Sequence, residues 1–257
     1  MSARVSRSGR MYANLVAYGI PIYTATATTP RYRVRCDMEG TWGACPLSRR
    51  PMPIPRQAQP NSGDDGVLTV LDPATNTVGE YWRARRSGDG WAASFGAVNS
   101  LGGSGWGGSS TGAGASRLAG VIGVREIERG VIPHALVLQS NNACATTFRP
   151  PARKTDGTST RRDCIPEGAR LQLDPRLNLD TLRLTKAERA VARAMQVYGG
   201  YLIDRSGTSL SVSFERARDA NANSPGSTYR AAGLRWDYDG LDGVPWERLR
   251  VLKSWQG

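Results

Sequence analysis

His134 is the only histidine in the sequence. It is also the side chain best suited to moving a proton near neutral pH, because its unperturbed pKa lies there. Over a concave sheet, assisted by Tyr201 or an arginine, it would take the proton α to a uronate carboxylate, as a polysaccharide lyase does. A second reading stands beside this one. The segment VIPHALVL, residues 131–138, is read as an apolar strand in which Ile132, His134, Leu136 and Leu138 share a face. A histidine there is buried and structural.

Glycoside hydrolysis needs two carboxylates about 5–9.5 Å apart. Asp64, Asp65, Asp72, Glu80, Glu126, Glu128, Glu167, Asp174 and Asp204 are available, and none falls in a tight strand motif. Glu126 and Glu128 flank Ile127 and would share one strand face. Glu167 lies in a Pro-Glu-Gly turn and Asp204 precedes Arg-Ser-Gly. Each also has a plain alternative, as a cap or as a turn former. The candidate catalytic set is therefore His134, Glu167, Asp204 and Tyr201. There is no Gly-x-Ser-x-Gly nucleophile and no phosphate loop, and the cysteines lack zinc-ligand spacing. No metal or cofactor is expected.

Sugar rings stack on tryptophan, and arginine binds acidic sugars through paired hydrogen bonds. Trp42, Trp82, Trp91, Trp106, Trp236, Trp246 and Trp255 are available, most of them expected in the core. Trp82, Trp106, Arg83 and Arg85 are the candidate ligand-binding residues. Trp106 lies in a Gly/Ser-rich loop that is either a mobile binding lip or a solvated connection. The net charge is +12, carried almost wholly by arginine. That charge suits an anionic partner or reflects arginine-rich coding. Its scatter, with no stripe of arginines interleaved with aromatics, excludes a nucleic-acid-binding pattern.

The cysteines are Cys36, Cys45, Cys144 and Cys164. Local disulfides Cys36–Cys45 and Cys144–Cys164 are the economical pairing, each contributing about 2–4 kcal/mol. They imply an oxidising final location, whereas four buried thiols are the cytosolic alternative.

The elements that must position these residues are mostly strands. The 30 glycines and 15 prolines suit many turns. Val67–Leu71, Val78–Ala84 and Trp91–Phe95 recur at the spacing of a sandwich or jelly roll, and Leu210, Val212 and Phe214 alternate inward. One helix is predicted, over about 186–198. Thr185 and Glu188 have capping-box spacing, Ala187, Ala190, Val191, Ala194, Met195 and Tyr198 form a stripe, and Gly199-Gly200 stops it. Residues 1–60 are rich in proline and arginine and are expected to be an extended arm that docks on neighbouring subunits. Residues 61–257 are expected to be the β-sandwich domain. No apolar run approaches the ~20 residues of a membrane span, and the N-terminus lacks the pattern of a secretory signal.

Three motifs, His-Ala-Leu, Pro-Ala-x-Lys-Thr-Asp-Gly and Ile-Pro-Glu-Gly-Ala-x-Leu-x-Leu-Asp-Pro, lie within residues 134–207. With residues 63–84 and 244–255, they resemble a β-sandwich family of secreted actinobacterial proteins and actinobacteriophage minor tail proteins. The resemblance implies a concanavalin-like or jelly-roll sandwich with one packed helix, working near cell-wall glycan. The first expectation is a virion component, a minor tail or tail-tip protein. It would join other tail proteins in an oligomeric assembly through residues 1–60 and contact host envelope polysaccharide. The alternative is a secreted or virion-borne glycan-cleaving enzyme, a lyase or a glycoside hydrolase.

Overall fold

A computed structural model describes residues 10–108 and 110–253. The first sixty residues supply β1 (Tyr12–Asn14), β2 (Ile22–Thr24), β3 (Arg31–Tyr32), β4 (Arg35–Cys36) and β5 (Met52–Pro53). β6 (Leu68–Asp72), β7 (Thr77–Trp82), β8 (Arg85–Ser87), β9 (Gly90–Ala93) and β10 (Phe95–Ser100) follow. Beyond the Gly/Ser-rich loop come α1 (Val124–Arg129), β11 (Leu136–Ser140), β12 (Ala143–Phe148), β13 (Ile165–Glu167) and β14 (Arg170–Leu173). Then come α2 (Lys186–Val197), β15 (Gly200–Arg205), β16 (Ser211–Ser213), α3 (Ser227–Ala231), β17 (Asp239–Gly240) and β18 (Leu249–Val251). The protein is mainly β, in several sheets, as the turn rhythm predicts. Among the described residues there are three α-helices where one is expected.

The largest sheet has seven strands in the order β17-β1-β16-β11-β15-β14-β18. It is mixed: β1 runs parallel to β16 and β11 parallel to β15, while β11–β16 and β14–β15 are antiparallel. A second sheet has the order β10-β7-β6-β2 and contains the expected β6–β7 hairpin. Leu210, Val212 and Phe214 are fully buried, as their alternation predicts.

α2 follows its local signals. The Thr185 hydroxyl accepts from the Glu188 N–H (3.2 Å), and the Glu188 carboxylate accepts from the Thr185 N–H (2.8 Å). Ala187, Ala190, Val191, Ala194 and Met195 are buried in one core with the seven-stranded sheet. Burying side chains the size of Val191 and Met195 is worth about 1.5–3 kcal/mol each. Tyr198, assigned to that stripe, is instead partly exposed. Gly199 ends the helix at φ +70°, where a β-carbon would stand 2.4 Å from the Leu171 carbonyl oxygen, so the turn requires glycine.

Residues 10–60 are not an extended arm. β1 lies inside the seven-stranded sheet, between β16 and β17, and β2 pairs with β6. Met11, Ala13, Leu15, Leu47 and Ile54 are fully buried. The alternation Met11, Ala13, Leu15 is a strand signal, and the nearby prolines obscure it. The first nine residues of the expected arm, and Trp255, lie outside the described residues.

The segment around Glu126 and Glu128, assigned to strand, forms α1. The Glu126 carboxylate accepts from the Gly123 N–H (2.7 Å) at the helix start, and Gly130, at φ +76°, stops it. Six residues are too few for helical periodicity to register in the sequence.

Candidate functional site

The site begins with an irregularity in β15. Leu138 pairs with Leu202, but the next residue, Gln139, pairs with Asp204. Ile203 is thus the extra residue of a bulge, a device that re-aims a side chain. Asp204 turns toward the Gly/Ser-rich loop. Its Oδ1 accepts from the Gly112 N–H (3.1 Å), and its Oδ2 accepts from Arg117 Nη2 (3.1 Å).

That part of the loop is pinned. Glu80 of β7 is fully buried, and its carboxylate accepts from the Ser110 and Ser116 hydroxyls, the Leu118 N–H (2.9 Å) and Asn99 Nδ2 (3.1 Å). A buried carboxylate is tolerable only with such a shell of donors.

A second carboxylate reaches the same place from the segment between β12 and β13. Asp156 Oδ1 accepts from the Arg205 N–H (3.1 Å). A β-carbon on Gly112 would stand 2.3 Å from Asp156 Oδ1 and 3.0 Å from Asp204 Oδ1. The two oxygens therefore lie no more than about 5.3 Å apart, close to the ~5–5.5 Å spacing of a retaining glycosidase pair.

These groups open into a cleft of about 640 Å³, within the usual range for a small-ligand site. Its lining includes one aromatic cluster, Trp42, Trp82 and Phe95, together with Asp65, Arg117, Lys154, Asp156, Asp204 and Arg205. Trp42 and Trp82 are stacked, with centroids 5.5 Å apart and planes 19° apart. Trp42 is 54% exposed. Trp82 Nε1 donates to Asp65 Oδ1 (3.0 Å).

Burial pushes the Asp204 carboxyl up, and the Asp156 and Asp65 carboxylates add to this. Arg117 opposes them, leaving Asp204 at about 7. Burial alone would lower the Arg117 guanidinium, but Asp204, Asp65 and Glu80 outweigh it, and its pKa is raised.

Asp204 and Trp82 are the two sequence candidates that line the cleft. Glu167 ends β13 with no exposed surface, beside Asp156 and outside the cleft lining. Tyr201 packs edge-on against Trp106, centroids 5.6 Å apart, and neither lines the cleft. Arg83 stacks on Trp82 at 4.5 Å from the ring. Arg85 turns to Asp37 (2.7 Å).

His134 is not on a strand face, because β11 begins at Leu136. Pro133 has no N–H for a ladder at that point. The imidazole is held instead by Glu126 Oε2 (3.1 Å) and the Ala135 carbonyl (3.0 Å). In the β11–β15 register Leu136 faces Gly200 and Gln139 faces Asp204. His134 therefore precedes the strand start at Leu136, which itself lies three strand residues, about 10 Å, from the level of Asp204. The structure does not bring it together with Glu167 or Asp204.

Sequence reasoning missed Gly112, Arg117 and Asp156 as site residues. Asp156-Gly157 carries a turn signal only, and nothing local marks its partner on β15. Both disulfides are formed, Cys36–Cys45 (2.04 Å) and Cys144–Cys164 (2.08 Å). The first closes the loop that carries Trp42, and the second closes the segment that carries Lys154 and Asp156. Among the described residues no three His, Cys, Asp or Glu side chains converge to hold a metal ion, and no helix is long and apolar enough to cross a membrane.

Fold and cleft together define a mainly-β, disulfide-bonded protein with a cleft that carries three carboxylates, three cationic side chains and a tryptophan pair. No family model matches the chain, and no curated protein or solved structure matches it.

Proposed function

We propose that this chain is a glycan-cleaving hydrolase in which Asp204 is the proton donor and Asp156 the partner carboxylate. The observation that carries this reading is the convergence of the two carboxylates on Gly112, beside a stacked pair of indoles. Asp204 is desolvated, so it holds a proton near neutral pH and gives it to the departing glycosidic oxygen. Asp156 is exposed to the cleft. Its carboxylate attacks the anomeric carbon as that bond breaks. Water then cleaves the glycosyl ester, with Asp204 taking the proton from water. Arg117 stays paired with Asp204 and offsets its charge when the proton leaves. Trp42, backed by Trp82, offers its outer face to a sugar ring.

The test is release of reducing ends from arabinogalactan and from acidic polysaccharides. Asp156→Asn and Asp204→Asn should each lower kcat by at least about a hundredfold, and His134→Ala should not. Activity that survives both asparagine changes, or wild type that yields no product from any polysaccharide, removes the hydrolase reading.

The family resemblance supports a second reading, a minor tail or tail-tip protein whose cleft binds envelope glycan without cutting it. Exposed Trp42 and the two disulfides, which suit an extracellular protein, favour it. Contact with other tail proteins belongs to this proposal. So does a concanavalin-like or jelly-roll sandwich, which must accommodate the parallel pairs β1–β16 and β11–β15. Tight binding of wall polysaccharide with no product, and the chain's presence in purified virions, would select this reading.

A further inference from the structure

We infer that Glu167 is a positioning residue for Asp156: a sealed carboxyl group that keeps its proton and donates it as a hydrogen bond to the Asp156 side chain. Its effect on rate rests on the hydrolase reading. The buried proton itself does not.

Glu167 is fully buried, and neither of its side-chain oxygens has a partner at full hydrogen-bond geometry. The groups that face it are the Asp156 carboxylate and, further off, that of Asp204, with the Asp156 N–H as the nearby donor. The two candidate cations point elsewhere. Arg149, whose N–H donates to the Glu167 carbonyl (2.8 Å), sends its guanidinium to the Leu252 carbonyl (3.0 Å), and Arg117 is spent on Asp204 (3.1 Å). An ionised carboxylate sealed from bulk solvent, with no cation turned toward it and the Asp156 carboxylate beside it, is far costlier than a neutral one. Burial first, then the contact with Asp156 and the charges of Asp156 and Asp204, push Glu167 up to about 9.

A protonated carboxyl is a donor, and the acceptor within reach is Asp156. Arg205 N–H already holds Asp156 Oδ1 (3.1 Å). A bond from Glu167 would hold the carboxylate from beneath and leave its open side to the cleft. A carboxyl kept neutral by an apolar site so that it can donate is an established device in other enzymes.

The experiment compares wild type, Glu167→Gln and Glu167→Leu in two measurements. The first is melting temperature from pH 4 to pH 10. The folded state keeps a proton that the unfolded chain releases above about pH 4.5, so wild-type stability should fall as pH rises toward 9. Glu167→Gln should lack that slope. The second is kcat and KM against pH. Glu167→Gln keeps a donor and should stay within about threefold of wild type, without the alkaline fall near pH 9. Glu167→Leu keeps the bulk but no donor and should lose about a hundredfold in kcat with little change in KM.

Superimposable stability profiles for wild type and Glu167→Gln would overturn the buried proton. Equal losses in the glutamine and leucine variants would overturn positioning by a donor and leave the hydrolase reading intact. If wild type cleaves nothing, the hydrolase reading fails, and the stability profiles still decide the state of Glu167. Those profiles also suffice if the leucine variant does not fold.

Discussion

Gly112 and Asp156 make a contact that leaves no room for a side chain at residue 112, since a β-carbon there would stand 2.3 Å from Asp156 Oδ1. The same β-carbon would crowd Asp204 Oδ1 at 3.0 Å. Gly112→Ala should therefore spread the pair while leaving the fold intact, because residue 112 lines the cleft from a loop and not from inside a strand. The expected cost in stability is about 1–3 kcal/mol, with a loss of at least a hundredfold in reducing-end release. A variant of normal activity would show that the two carboxylates do not need this approach.

Glu80 organises the loop that delivers Gly112 and Arg117. Glu80→Ala removes the acceptor from two hydroxyls, an amide and a backbone N–H at once. Leaving several buried donors unpaired should cost at least about 3 kcal/mol. For a chain of this size that lowers Tm on the order of 10 °C. Calorimetry measures it directly, and a shift of only a degree or two would mean that the loop holds itself.

Legibility from sequence followed the range of the interactions. α2 was readable because cap, stripe and glycine stop all lie within about fifteen residues and agree. The β6–β7 hairpin and both disulfides were readable for the same reason. β1 was not, because its neighbours β16 and β17 come from the far end of the chain, and prolines nearby suggested an arm. The candidate site was half legible. Asp204 and Trp82 were found as chemically suitable residues, but Asp156 and Arg117 sit in segments whose local chemistry signals only turns and loops. The bulge at Ile203 aims Asp204 into the cleft, and period-two alternation carries no sign of it.

His134 and Glu126 form a structural pair with its own pH window. Glu126 raises the His134 pKa above its ordinary value, so that contribution is complete below about pH 6.5 and fades as pH rises through the folded value. Although burial opposes it, His134 together with the Gly123 N–H lowers Glu126, so that contribution is complete above about pH 4.5 and fades as pH falls through the folded value. Their joint effect should be largest between those limits. His134 is about one-third exposed (32%), so solvent screening keeps the effect near 0.5–1 kcal/mol. His134→Gln should lose that window in a pH series of melting temperatures and keep full activity on glycan. A fall in kcat without a change in Tm would instead make His134 catalytic.

The Cys36–Cys45 disulfide closes the loop that presents Trp42 to the cleft. Its removal should cost about 2–4 kcal/mol in stability, and it should also release one wall of the site. Trp42→Ala should weaken binding of an oligosaccharide about tenfold, close to 1.4 kcal/mol, from the lost stacking face. A Cys36→Ala/Cys45→Ala variant should show a similar loss, because an unconstrained loop no longer holds the indole against Trp82. The decisive comparison is the combined variant. If the disulfide acts on binding through Trp42, the two losses will not add, and the triple change will bind no worse than Trp42→Ala alone. Titration calorimetry with wild type and the three variants completes the cycle. Additive losses would mean that the disulfide supports the cleft by another route, through Trp82 or Phe95, and that the loop around Trp42 keeps its shape without it.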